Sequence, residues 1–141
     1  MSTLDELLSL GGLNVDEAQE LLGESAGPTP IAGYQAMQDV EAISSKQRGL
    51  MFIVRDGSVV LVYAGPTAVE GIRPDELSER FGTGTPLRSR QGRMATLHVV
   101  ADRGVAWSEE NYELGFVELF PPTTIDAYKT EVYLEPPAVN Q

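Results

Sequence analysis

The chain has 141 residues, with 21 acidic against 10 basic side chains, a net charge of −11 and no cysteine. This is the length of one domain, and we expect residues 1–141 to fold as one without disulfides or a thiolate-bound metal. The negative charge argues against general nucleic-acid binding, and the sequence shows neither a long apolar run nor a signal peptide, so a cytoplasmic location is predicted.

The first predicted element is a short helix at residues 3–10. Thr3 is placed to cap its first turn, and Glu6, three residues later, to return a hydrogen bond, which is the capping-box pattern. Two consecutive glycines follow the last leucine and end the helix. We therefore expect a short N-terminal helix with an apolar stripe.

A second capped helix and a hairpin follow along the chain. Asn14 and Glu17 form another capping pair, and a glycine ends this helix. Residues 50–54 and 59–63 are rich in β-branched side chains and flank an Asp-Gly dipeptide, a strong hairpin-turn signal. A weaker strand is predicted ahead of this hairpin, at residues 38–44.

The same order of elements recurs in the second half of the chain. Pro74 suits the first turn of a helix that ends at Gly82. Residues 94–101 then predict a strand, and residues 105–108 and 114–119 predict a second hairpin. Each half is therefore predicted to be a short helix followed by an antiparallel meander of about three strands.

Two matched blocks of sequence indicate that these halves are copies of one unit. Residues 12–23 and 71–82 share five of twelve positions, including both flanking glycines and an Asp-Glu pair. Residues 48–66 and 103–121 align without a gap, begin with Arg-Gly and end on proline. We therefore predict an α+β fold of two homologous helix-plus-meander units, with their sheets joined or side by side. The predicted repeats span residues 12–66 and 71–121.

A last helix is predicted at residues 124–133, after a pair of prolines. A threonine at its start can cap the first turn, and a second proline pair ends it. Ile125, Tyr128 and Val132 form an apolar stripe at helical spacing. This C-terminal helix is expected to pack on the sheet.

The order of glycine, short capped helix, proline-containing loop, strand and glycine-led hairpin resembles a superfamily of small binding proteins. Its members are outer-membrane assembly lipoproteins of the SmpA/OmlA type and proteins of the β-lactamase-inhibitor-protein type, which are tandems of two such units. The resemblance covers residues 12–66 and 71–121. It implies a scaffold whose halves join into one concave sheet that grips a protein. Because the chain has no cysteine, it lacks the lipid anchor and the inhibitor's disulfides, and the resemblance names no target.

Signatures of catalysis are sparse in this sequence. His98 is the single histidine, and strand alternation places it on the face opposite Leu97 and Val99. No spacing pairs it with another histidine or a cysteine for a metal, and there is no nucleophile elbow. The stretch from Gly82 to Pro86 lacks the lysine of a phosphate-binding loop and follows a helix instead of preceding one. A hydrolase or isomerase that uses His98 with a carboxylate remains an alternative.

A partner-binding surface is the predicted functional site. Trp107 and Tyr112 carry large side chains that lose little rotamer freedom in an interface, although burial of Trp107 in the core is the competing interpretation. The loop at residues 83–93 carries arginines that suit the rim of such a surface. The predicted partner-binding residues are Trp107, Tyr112, Arg88, Arg90 and Arg93.

These features predict a non-enzymatic protein-binding module of the inhibitor, immunity or assembly-factor type, which uses the sheet face and the 83–93 loop. A protein is the expected partner, and no cofactor, metal, nucleic acid or membrane is expected. One alternative is a small-molecule or anion sensor with a pocket between the repeats. Another is a homodimer formed through an unpaired sheet edge.

Overall fold

A computed structural model describes residues 3–92 and 94–137. The helices are α1 (Leu4–Ser9), α2 (Val15–Leu22), α3 (Pro74–Phe81) and α4 (Ile125–Glu131). The strands are β1 (Thr29–Tyr34), β2 (Met37–Ser45), β3 (Leu50–Arg55), β4 (Ser58–Ala64), β5 (Thr85–Arg88), β6 (Thr96–Val100), β7 (Val105–Glu110) and β8 (Glu113–Leu119). None of the helices within these ranges is long and apolar enough to cross a membrane.

Side chains cap the helix starts as the sequence predicts. The Thr3 hydroxyl accepts the N–H of Glu6 at 3.1 Å and caps α1. At α2, Asn14 Oδ1 accepts the N–H of Glu17 at 2.8 Å, and the Glu17 carboxylate accepts the N–H of Asn14 at 2.9 Å. Thr124 caps α4 through its hydroxyl. These bonds satisfy N–H groups that have no partner within the helix, so they fix where each helix begins.

The strands form a single eight-stranded sheet in the order β1-β2-β3-β4-β8-β7-β6-β5, with every neighbouring pair antiparallel. The predicted α+β class is confirmed. Each half contributes four strands, one more than predicted. The additional strands are β1 and β5, which lie at the sheet edges and contain the prolines Pro30 and Pro86. Proline is tolerated on an edge, where its missing N–H faces no neighbour. The predicted loop at residues 83–93 is corrected accordingly, since it contains β5.

The two edge strands bear on the predicted homodimer. Pro30 in β1 and Pro86 in β5 each remove a backbone donor that a strand from another chain would need. β5 is also only four residues long. Both features are typical of edges that are protected against strand addition, so the edges disfavour dimerisation by this route.

The sheet has two faces, each covered by a different part of the chain. The face that packs on α1, α2 and α3, called here the helical face, includes Phe52, Val62 and Trp107. The opposite face, called here the C-terminal face, packs on α4 and the residues after it. Tyr128 of α4 is fully buried against it, as its place in the predicted stripe requires.

Strands β4 and β8 join the two halves of the sheet. Three pairs of residues face one another there: Val62 with Leu119, Tyr63 with Glu118, and Ala64 with Val117. The first and third pairs are buried on the helical face, and Glu118 is buried on the C-terminal face. Buried side chains therefore occupy this junction on both faces. A depression of about 240 Å³ is lined by residues of both halves, among them Met37, Val60 and Phe120, and the small-molecule pocket between the halves stays a prediction.

Trp107 lies in the core. It is 1% exposed, faces His98 across the β6–β7 pair and stacks on its ring with 5.3 Å between centroids. The interpretation of Trp107 as a surface anchor is therefore corrected. Strand alternation turns its side chain toward the helical face, where it packs within the cluster that includes Leu77 of α3.

Replacement of this side chain tests its structural role. We expect Trp107→Ala to lower the free energy of unfolding by about 3–5 kcal/mol, because it leaves a large cavity in the core. Urea unfolding followed by circular dichroism measures the change. The exposed aromatic variant Tyr112→Ala serves as the control, and a loss below about 1 kcal/mol for Trp107→Ala would contradict the packing described.

Candidate interaction surface

The tip of the β7–β8 hairpin presents an exposed aromatic side chain. The turn consists of Asn111 and Tyr112, both with positive φ, 54° and 63°. Tyr112 is 88% exposed. The β3–β4 hairpin turns through Asp56 and Gly57 at similar angles, φ 51° and 76°. Glycine adopts this conformation without a Cβ clash, whereas a tyrosine there costs on the order of 1–2 kcal/mol of backbone strain.

The chain between β5 and β6 is fastened beside this hairpin. The hydroxyl groups of Ser89 and Ser108 lie 2.6 Å apart and are both buried, and Ser108 donates to Gln91 Oε1 at 2.7 Å. Gln91 lies directly over Gly115 of β8, where an added Cβ would come within 1.9 Å of its amide oxygen. The absence of a side chain at Gly115 therefore lets this connection lie against the hairpin.

Met94 extends the exposed surface next to the hairpin tip. Its side chain is 78% exposed. Together with Tyr112 it lines an open depression of about 370 Å³. We call this region the tip surface, and its residues are Met94, Thr96, His98, Glu109, Glu110, Asn111 and Tyr112. It combines two large exposed side chains with polar groups around them, which is the composition of an interface patch.

His98 forms the inner wall of the tip surface. Its Nε2 lies 3.1 Å from Glu109 Oε1, and its Nδ1 lies 3.1 Å from the carbonyl oxygen of Thr83. Both ring nitrogens therefore face oxygen atoms of the chain that can accept a hydrogen bond. Among residues 3–92 and 94–137, no three His, Asp or Glu side chains are grouped to hold a metal ion.

The predicted partner-binding residues fall in separate places. Tyr112 is exposed on the tip surface, Trp107 is in the core, and Arg93 lies outside the described residues. Arg88 and Arg90 are exposed, but their guanidinium groups donate to backbone carbonyls of the chain that follows α4. None of the residues lining the depression beside these arginines belongs to the tip surface. The structure thus divides one predicted surface into two.

Glu118 is a second unusual feature, at the centre of the C-terminal face. It is fully buried, and it accepts hydrogen bonds from the Tyr34 hydroxyl, from Gln35 Nε2 at 2.7 Å and from the Tyr128 hydroxyl at 2.5 Å. No ion pair to Glu118 occurs within the described residues. Burial raises the pKa of this carboxyl group, and the three donors partly offset the effect. The carboxylate likewise adds to the effect of burial in raising the pKa of Tyr128.

The sequence interpretation missed three of these features. Met94 was predicted to begin a strand, but β6 starts at Thr96 and Met94 lies in a turn. Glu118 alternates with apolar residues in β8, yet periodicity gives no sign that three donors from distant segments meet it. Gly115 carried a usable signal, because an isolated glycine within a strand often marks a close approach of another segment.

Comparisons with protein-family models, curated proteins and solved structures give no match for this chain. The resemblance to the superfamily of the SmpA/OmlA and inhibitor types therefore stays a prediction.

The raised pKa of Glu118 has a consequence for stability. A carboxyl group whose pKa is higher in the folded than in the unfolded state stabilises the fold fully below its unfolded pKa, about 4.3, and loses this contribution as pH rises. The free energy of unfolding of the wild type should therefore fall relative to Glu118→Gln as pH rises above about 4.3, by up to about 1.4 kcal/mol per unit.

Urea unfolding of both proteins from pH 4 to pH 8 measures this difference. Glu113→Gln, on the same strand but exposed, controls for the loss of one charge. A difference between wild type and Glu118→Gln that stays constant over this range would show that Glu118 does not titrate differently in the folded protein.

Proposed function

We propose that the chain is a non-enzymatic protein-binding module and that the tip surface is where its partner docks. The observation that carries the proposal is Tyr112, which is 88% exposed and held at φ 63°. Backbone strain at a residue whose side chain is almost fully exposed brings the fold little packing in return, and such strain clusters at functional positions.

The chemistry of the tip surface fits a protein partner. Tyrosine is enriched among residues that dominate binding energy, because it covers a large area and has few rotamers to lose. Methionine adapts its flexible thioether to irregular surfaces, and Met94 lies in the same depression. The depression is open and shallow, as expected for contact with another protein and unlike the enclosed pockets that bury small molecules.

The place of the surface on the sheet supports the same interpretation. Thr96 begins β6 and Glu109 lies near the end of β7, while His98 lies in the middle of β6, and all three are only half-buried. α1, α2 and α3 cover the more central part of the helical face. The proposed contact therefore uses the uncovered end of one sheet face together with the connection that carries Met94.

We also infer that the chain consists of two copies of one unit. In the matched sequence blocks, the residue numbers of α3 equal those of α2 with 59 added. The residue numbers of β7 and β8 equal those of β3 and β4 with 55 added. Both hairpins have a register irregularity at the equivalent position, between Ile53 and Val54 and between Ser108 and Glu109. β-bulges are specific local features, so the same bulge at the same aligned position supports duplication.

The register between the halves supports duplication independently. In the β4–β8 pair, Tyr63 faces Glu118, which is the aligned equivalent of Tyr63 in the second half. The same alignment, which adds 55 to a residue number of the first half, makes Val62 equivalent to Val117 and Ala64 equivalent to Leu119. The two flanking pairs, Val62 with Leu119 and Ala64 with Val117, are therefore equivalent to each other. Such self-complementary pairing is what two identical subunits form about a two-fold axis. In this arrangement Gly57 and Tyr112 are equivalents, which makes the tyrosine a specialised feature of one copy.

A hydrolase or isomerase that uses His98 is the weaker candidate. The pairing of His98 with Glu109 is the geometry that a catalytic dyad would need. The carbonyl of Thr83 occupies the other ring nitrogen, however, and no described serine or threonine hydroxyl is hydrogen-bonded to the ring. Within the described residues, the dyad therefore has no hydroxyl nucleophile beside it to activate.

Replacing Tyr112 by glycine separates its structural role from its binding role. We expect Tyr112→Gly to keep the free energy of unfolding or to raise it by up to about 1 kcal/mol, because it relieves the strain at positive φ. The same variant should lose the partner that the wild type captures from a lysate of its native cells, as quantified by mass spectrometry.

Tyr112→Phe serves as the matched control, since it keeps the ring and the strain and should retain most of the captured partner. Charge reversal of Arg88 and Arg90 should not affect capture through the tip surface. If Tyr112→Gly lowers stability and captures the same proteins as the wild type, the tip surface is not the docking site.

A further inference from the structure

The chain after α4 binds across the C-terminal face in an unusual way. We call residues 132–137 the tail; they form no regular helix or strand. At one end, the carbonyl oxygen of Val132 accepts the N–H of Ala36 at 3.0 Å. Next to it, the N–H of Leu134 donates to Gln35 Oε1 at 3.3 Å. The β1–β2 turn thus forms hydrogen bonds with the backbone of the tail.

Two arginines bind the other end of the tail, again through its backbone. Arg88 Nη2 lies 2.9 Å from the carbonyl oxygen of Pro137, and Nη1 lies 3.4 Å from that of Pro136. Arg90 Nη1 lies 3.3 Å from the carbonyl oxygen of Glu135. Arginine presents several donors in a fixed fork, so one side chain can bind consecutive carbonyl groups of an extended segment.

A tyrosine is the most deeply buried side chain of the tail. Tyr133 is 8% exposed, and its hydroxyl donates to the carbonyl oxygen of Arg88 at 2.8 Å. Its ring stacks near Tyr128, with 6.4 Å between centroids, and packs in the cluster that includes Leu97 and Val99. Leu134, the next residue, is by contrast 45% exposed.

The geometry points to a peptide-binding groove that the chain's own tail occupies. Contacts to backbone groups give affinity without regard to sequence, and a buried pocket for one side chain gives specificity. The tail shows what fits: a tyrosine, two further residues and a proline pair. We propose that the groove binds such a Tyr-x-x-Pro-Pro segment of a partner protein and that the tail limits access to it. This proposal concerns a surface other than the tip surface and does not depend on it.

The partner segment must compete with a tethered tail. Because the tail is held near the groove, its effective concentration far exceeds that of an identical segment on a second copy. A partner therefore needs a contact that the tail does not make. A depression of about 220 Å³ beside Arg88, Arg90 and Pro137 offers one, and the guanidinium groups there favour an acidic side chain. The residues after Pro137 in this chain are Ala138, Val139, Asn140 and Gln141, none of them acidic. We assign the partner an acidic residue directly after the proline pair.

A synthetic peptide in trans tests the groove in the full-length chain. The fluorescein-labelled peptide Val-Tyr-Leu-Glu-Pro-Pro-Glu is titrated with the wild type and with Tyr133→Ala, whose tail lacks its anchor, and anisotropy is measured. The apparent affinity of a blocked site falls with the fraction of time for which it is open, so Tyr133→Ala should bind the peptide at least about tenfold more tightly than the wild type.

Further variants keep the test decisive. Leu134→Pro removes the N–H that bonds to Gln35 and changes only an exposed side chain, so it should also increase peptide binding. It replaces Tyr133→Ala in the test if that variant does not fold. Addition of Arg88→Ala and Arg90→Ala to the weakened-tail chain should abolish binding, whereas Arg48→Ala, which removes an exposed arginine elsewhere, should not.

The outcomes that overturn the proposal are equally specific. If the weakened-tail chains are folded by circular dichroism and do not bind the peptide, the groove does not accept a segment in trans. Equal binding by wild type and weakened-tail chains would place the peptide at another site. Equal affinity for a peptide that ends in alanine instead of glutamate would overturn the assignment of the acidic residue.

Discussion

The pairing of β4 with β8 is the contact on which the rest of the structure depends. It is the single pair of neighbouring strands that does not follow the order of the chain, and it joins four strands from each half into one sheet. Only three residue pairs form it, so its stability comes mainly from the side chains packed on both sides. On the helical face, Val62, Val117 and Leu119 make the cores of the two halves continuous.

The same pairing includes a buried carboxyl group. It places Glu118 at the centre of the C-terminal face, where a carboxyl group without a cation is tolerated only if its oxygens are hydrogen-bonded. Tyr34, Gln35 and Tyr128 supply those bonds from β1, its turn and α4. These hydrogen bonds connect the edge strand β1 and the C-terminal helix through one buried group, and the tail continues directly from α4.

Much of this architecture could be predicted from the sequence, because its signals are local. Capping pairs such as Asn14 with Glu17 act within one helical turn, and the Asp-Gly dipeptide at Asp56 sets its own hairpin. The edge strands β1 and β5 were not predicted, because they contain Pro30 and Pro86 and proline is atypical of strands. Proline is tolerated at the edge of a sheet, but the sequence does not reveal which strands lie at an edge.

The features on which the proposed functions rest were harder to predict, because each depends on contacts between distant residues. Whether Trp107 faces the core or the solvent depends on where the helices pack, and alternation alone left both open. Arg88 and Arg90, predicted to lie at the rim of a partner-binding surface, donate hydrogen bonds to the chain's own tail, and their role in partner binding stays a prediction. Tyr112 alone was recognisable from its type, while the strain that distinguishes it from Gly57 is visible only in the backbone angles.

The proposed duplication, with one specialised hairpin, accounts for these observations together. In this proposal two copies of a helix-and-meander unit form one sheet, and a surface built on that sheet holds its exposed side chains in place. The proposed alignment also offers an internal comparison, because it puts Gly57 and Tyr112 at the same position of the two hairpins. If a partner contacts one of these two turns and not the other, the contact is specific and is not a general property of exposed hairpin turns.

Site-specific photo-cross-linking in living cells makes this comparison directly. A photoreactive phenylalanine analogue is introduced at position 112 in one strain and at position 57 in another, and adducts are resolved after irradiation. The account predicts a discrete protein adduct from position 112 that position 57 does not give. The same adducts from both positions, or none from position 112, would contradict a partner-binding role for this hairpin.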